Sequence, residues 1–187
     1  MIEVRNICKA FDGKTVLRDV SMTFGEGITC IMGSSGAGKT TLVNIIAGIL
    51  PPDSGEISGM AGKNIAMVFQ EDRLLPWETA LANVTFIRND RIRAAELLTA
   101  AGLADSMHKK AAELSGGMKR RVCLCRALIA EHDVLILDEP FKGLDDEIKP
   151  AIMQMVKDNP APITICITHD AREAEYLGGT VISFAGA

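Results

Sequence analysis

The eight residues GSSGAGKT at positions 33–40 constrain this chain more than any other stretch. They fit the pattern G-x-x-x-x-G-K-[S/T] in full. The apolar run ITCIM at 28–32 precedes them and predicts a buried strand. An apolar-periodic segment at 40–49 follows and predicts a helix, stopped by Pro51 and Pro52. In a strand–loop–helix setting the pattern has a mechanism. Gly33, Gly36 and Gly38 let the backbone wrap closely. Amides across Ser34, Ser35, Ala37 and Thr41 can converge on phosphate, and the helix N-terminus adds positive potential. Lys39 is expected to reach the β and γ phosphates of a nucleotide, and the Thr40 hydroxyl to bind magnesium.

Around this loop the chain reads as α/β. Residues 2–8 and 15–24 predict strands joined by a turn at Asp12-Gly13. A strand pair is expected at 56–58 and 64–69. Residues 71–114 change character, with a helix at 91–101 ended by Gly102. A further helix at 118–130 follows. Then come a wholly apolar strand at 134–137, a helix at 148–157, strands at 163–167 and 180–184, and a short helix at 171–177. This alternation favours an open sheet. The expected division is a core of 1–70 and 131–187 around an inserted helical part at 71–130.

Two further stretches carry chemistry. VLILDEP at 134–140 places two carboxylates past a buried strand, where open α/β sheets bind ligands. Asp138 is expected to hold magnesium and Glu139 to act as general base. LSGGM at 114–118 offers Ser115 as a helix cap, with the amides of Gly116 and Gly117 at a positive helix end, a second anion site.

Together these motifs resemble the nucleotide-binding subunit of an ABC transporter. GSSGAGKT resembles its Walker A loop, VLILDEP its Walker B strand and LSGGM its signature. Gln70 after MVF resembles the Q-loop glutamine, Asp145 in Gly143-Leu144-Asp145 the D-loop aspartate, and His169 in ITHD the switch histidine. The motifs keep the family's order over nearly the whole chain. The resemblance implies a P-loop NTPase (RecA-like) core with an N-terminal antiparallel β subdomain and a short inserted helical subdomain. It implies ATP and Mg2+ as ligands and a head-to-tail homodimer, each ATP lying between one copy's Walker A and the other's signature. Ser115 and Gly117 would contact the γ-phosphate across that interface, and Asp145 the opposing Walker A. Gln70 would sense magnesium and the attacking water, His169 would contact the γ-phosphate, and Phe11 would stack on adenine. Met118 and Phe11 stand where many relatives carry Gln and Tyr. Only 18 residues follow His169, so the usual C-terminal helices are expected to be curtailed.

The segment FQEDRLLPWETALANV at 69–84 is similar to importer subunits for nitrate, sulfonates and taurine. That likeness implies transmembrane permease partners, met at Leu74, Leu75, Pro76 and Trp77, an indirect solute-binding protein, and a peripheral place on the cytoplasmic face of the inner membrane. Rival readings are a soluble ABC ATPase of DNA repair or translation, a non-hydrolysing nucleotide module and a P-loop small-molecule kinase. The net charge of −4 argues against nucleic-acid binding. Lys119-Arg120-Arg121 reads as a solvated helix face, and His108 and His132 as surface residues. The five cysteines, with no CxxC pair, read as reduced buried thiols.

Overall fold

In a computed structural model, which describes residues 1–185, the chain opens with a hairpin. Strand β1 (Ile2–Phe11) turns at Asp12 and Gly13 into β2 (Lys14–Phe24). Both turn residues have positive φ, 48° and 78°, as the tight hairpin turn requires. Then follow β3 (Gly27–Met32), helix α1 (Lys39–Ile46), β4 (Ser54–Ser58) and β5 (Ile65–Val68). Helices α2 (Ala80–Thr85), α3 (Arg91–Ala100) and α4 (Gly116–Leu128) come next. Strand β6 (Val134–Asp138), helix α5 (Lys149–Asp158), strand β7 (Ile163–Ile167), helix α6 (Ala171–Leu177) and strand β8 (Thr180–Ser183) complete the order.

The chain divides into two units. The first holds Met1–Ile65, His132–Asp138 and the chain from Ala161 onward. Its antiparallel sheet has the order β2-β1-β4. Its second sheet is parallel, with β6, β7, β3 and β8 as successive neighbours. Every residue of β6 and β7 is buried, which is why residues 134–137 read as an unbroken apolar run rather than an alternating one. The expected pairing of 56–58 with 64–69 does not form. Instead β4 pairs with β1, Val4 opposite Ile57. Short strands carry too little pattern to name their partners. Helix α1 stops at Ala47, ahead of the two prolines, where the Gly48 amide turns back to the Ile45 carbonyl at 3.0 Å.

The second unit holds Ala66–Glu131 and Glu139–Pro160. Side chains cap its helices as their residue types predict. The Thr79 hydroxyl accepts from the Ala82 amide at 3.0 Å, and the Asp90 carboxylate from the Arg93 amide at 2.9 Å. Leu81 and Val84 of α2, Leu97 and Leu98 of α3, and Val122 and Leu124 of α4 form its core. Helix α2 is too short to carry a periodic signal, and the sequence pattern misses it. Among the described residues no helix is long and apolar enough to cross a membrane.

All five cysteines are free thiols. Burial pushes Cys123 and Cys125 up to about 12, whereas Cys8 is half-exposed. Since the thiolate is the reactive form, iodoacetamide at pH 8 is expected to modify Cys8 alone in the folded protein and all five after denaturation. Mass spectrometry of the two samples checks this, and rapid native alkylation of Cys123 would contradict it.

Candidate active site

Register in the first unit decides where the chemistry gathers. Ile31 pairs with Ile167, and Ile167 with Asp138, on three adjacent parallel strands. The chain leaving β3 is the glycine loop, the chain leaving β7 carries His169, and β6 ends in Asp138. Strands lie about 4.8 Å apart, so the three exits fall within about 10 Å of one another.

Two glycines of the loop are required by geometry. A Cβ on Gly33 would stand 2.2 Å from the Phe184 carbonyl oxygen. That backbone is held there by a 2.6 Å hydrogen bond from the Phe184 amide to the Met32 carbonyl. Gly38 caps α1 with φ 94°, and a Cβ on it would meet Leu17 Cδ2 at 2.8 Å and the Val16 oxygen at 2.9 Å. Gly33, Ser34, Ser35, Gly36 and Thr41 are exposed or half-exposed, while Ala37 is buried. Lys39 is only 7% exposed, and its ammonium donates to the Gly33 and Ser34 carbonyls at 2.8 and 2.7 Å. It therefore folds back across the loop that it terminates. Thr40, half-exposed, opens α1 beside it.

Asp138 is 1% exposed at the end of β6. His169 is exposed on the turn after β7. Thr168 builds that turn: its buried hydroxyl donates to the Glu173 carboxylate and accepts from the Asp170 amide at 3.1 Å. Phe11 is 45% exposed at the end of β1, with Lys9 Nζ 5.6 Å from its ring centre, so it is not a core residue.

The second unit carries the other residues. Ser115 caps α4, its hydroxyl accepting from the Met118 amide at 3.3 Å, with Gly116 and Gly117 in the first turn. Gln70 is exposed just past β5, and Asp145 is exposed ahead of α5. Glu139 has φ 49°, rare for any residue but glycine. Its carboxylate pairs with Lys142 Nζ at 2.7 Å.

The basic run in α4 corrects an expectation. Arg120 is 4% exposed rather than solvated, and Arg121 donates to the Gly117, Ala101 and Gly102 carbonyls at 3.3, 2.7 and 3.3 Å. The signal was present in the helical period, because Arg120 shares a stripe with the buried Leu124, Ala127 and Leu128. The charge of the run outweighed its spacing. Asn83, 1% exposed, is a second buried polar residue that no sequence motif marks. Its amide side chain accepts from the Leu75 amide at 2.8 Å and donates to the Leu75 and Thr79 carbonyls at 3.1 and 3.0 Å, stapling the segment before α2.

Comparison with known proteins follows the same lines. A family model described as ABC transporter matches residues 17–142. The aliphatic sulfonates import ATP-binding protein SsuB 1 of Rhodococcus jostii (strain RHA1) is 42% identical over 178 residues, covering 90% of this chain and 72% of the relative. The bicarbonate transport ATP-binding protein CmpD of Synechocystis sp. is 37% identical over 208 residues, covering 97% and 73%. The ATP-binding cassette MJ0796, solved as a dimer in a post-hydrolysis state bound to ADP and Pi, superposes with a TM-score of 0.85 at 28% identity, covering 99% and 94%.

Hydrogen bonds to charged groups contribute about 1.5–3 kcal/mol, and about 1.4 kcal/mol is tenfold in affinity. Lys39→Ala is therefore expected to weaken binding of a fluorescent nucleoside triphosphate roughly 10- to 100-fold. An unchanged dissociation constant would remove Lys39 from the site.

Proposed function

The chain belongs to the ABC transporter family, and on that premise we propose that it is the ATPase subunit of an importer of the nitrate, sulfonate and taurine type. The observation that carries the reading is the strand register of the first unit, which brings the phosphate loop, Asp138 and His169 to one sheet edge. Similarity to subunits named for sulfonates import and bicarbonate transport supports the transport role and a small anionic solute.

In this reading the loop amides and Lys39 bind the triphosphate of ATP, and Phe11 stacks on its adenine. Glu139 takes a proton from the attacking water. The water oxygen bonds to the γ-phosphorus as the bond to the β–γ bridging oxygen breaks, leaving ADP and phosphate. Gln70 orients that water and His169 the γ-phosphate. The Thr40 hydroxyl, the Asp138 carboxylate and the Gln70 side-chain carbonyl are hard oxygen donors, the set Mg2+ prefers. When bound, the ion offsets charge on the phosphate oxygens.

Ser115, Gly116 and Gly117 place a cap hydroxyl and first-turn amides at the positive end of the 13-residue helix α4. We assign them to the ATP held by a second copy of the chain, with Asp145 reaching the opposing loop. Trp77, 65% exposed on the segment that Asn83 staples, supports a permease-docking surface. Through that permease the subunit takes a peripheral place at the cytoplasmic membrane face and couples indirectly to a solute-binding protein.

Two variants test the reading. Glu139→Gln is expected to cut ATP turnover roughly 100-fold or more, to halt sulfonate uptake in proteoliposomes holding the permease, and to accumulate an ATP-bound dimer by size-exclusion chromatography. Wild-type turnover would rule out Glu139 as the general base. Ser115→Arg is expected to abolish the ATP-dependent dimer while a nucleotide titration of the monomer stays unchanged. A dimer that persists would take Ser115 out of the interface.

A further inference from the structure

Arg120 is a buried charge to which the ATPase reading gives no task. It lies little more than one turn beyond Ser115, on α4. Its Nη1 donates to the carbonyl of Phe69 and, at 3.3 Å, to that of Gln70, and it lies 3.5 Å from Asp72 Oδ1. Its Nη2 donates to the Glu139 carbonyl at 2.6 Å. All of these groups belong to the second unit. One guanidinium thus holds the backbone at both Gln70 and Glu139.

The contact matters most at Glu139. A non-glycine residue at φ 49° persists only where its surroundings over-determine it. Here the Glu139 carbonyl accepts from one arm of the Arg120 fork, Nη2, and, at 3.3 Å, from the Lys142 amide. The planar guanidinium fixes the angle between its donors, so it can set two backbone segments at a defined separation. An ammonium on a flexible stem cannot.

We propose that Arg120 is a positioning residue for ATP hydrolysis: from the helix that begins at the Ser115 cap, it fixes the backbone under Gln70 and Glu139. The proposal rests on the roles given above to those two residues. It makes the signature helix the mount of the general base, so a displacement at the Ser115 end of α4 is transmitted to Glu139 through one side chain. The competing possibility is a buried arginine that supports the fold alone.

The test uses the full-length chain, with Arg120→Lys, which keeps the charge but not the fork, and Arg120→Gln, which keeps donors but neither charge nor reach. Steady-state kinetics, thermal unfolding and ATP-dependent dimerisation are measured for each. The expected result is a kcat lower by roughly 10- to 100-fold, with KM for ATP within about twofold of wild type and the ATP-bound dimer retained. Arg120→Lys combined with Gln70→Ala should lose little more than the worse single variant, because both act through one assembly. A wild-type kcat overturns the proposal. So does loss of ATP affinity and melting temperature in step with kcat, additive losses in the double variant, or failure of both Arg120 variants to fold. Glu139→Gln separates the two levels. If it turns over normally, the general-base assignment fails. If it is inactive while Arg120→Lys keeps the wild-type rate, only the Arg120 inference fails.

Discussion

Parallel pairing of β3, β7 and β6 is the constraint from which the first unit's chemistry follows. Backbone hydrogen bonds fix Ile31 beside Ile167 and Ile167 beside Asp138. A slip of one residue would turn each strand's side chains to the opposite face. With β6 and β7 buried throughout, such a slip changes which side chains fill each layer of the core. The hydrophobic effect that holds the sheet together thereby also sets where the loop, the carboxylate and the histidine emerge.

The second unit meets a different demand. It presents polar groups at helix ends and turns, where backbone groups need partners. Ser115 satisfies an amide at the start of α4, Asn83 satisfies backbone groups before α2, and Arg120 satisfies carbonyls at Phe69, Gln70 and Glu139. Each is a polar side chain spent on backbone that regular secondary structure leaves open. The cost of burying a guanidinium is offset by several carbonyl acceptors and the nearby Asp72 carboxylate. The strained Glu139 sits where such support converges.

Much of this was legible because the motifs carry their own physics. The phosphate loop requires glycine where the backbone approaches Phe184 and where φ is positive at Gly38, and those glycines stand in the sequence for any reader. The cap at Ser115 is equally local. What escaped was non-local. Nothing in residues 56–58 says that they pair with β1 rather than with 64–69. Nothing in a run of three basic residues says that the middle one turns inward, unless its helical phase is weighed against its charge.

By itself the sequence determined the strand–loop–helix element, the buried character of β6 and the cap at Ser115. These depend on residues close in the chain, where backbone preference and hydrophobic period act directly. Tertiary structure alone decided the strand partners, the inward turn of Arg120 and the exposure of Phe11 and Trp77. Those outcomes depend on which distant segments arrive to bury a surface or accept a hydrogen bond, and a charge or an aromatic ring does not specify its partner. The glycine loop thus fixed what this chain can hold, and the register of its sheet fixed what stands around it.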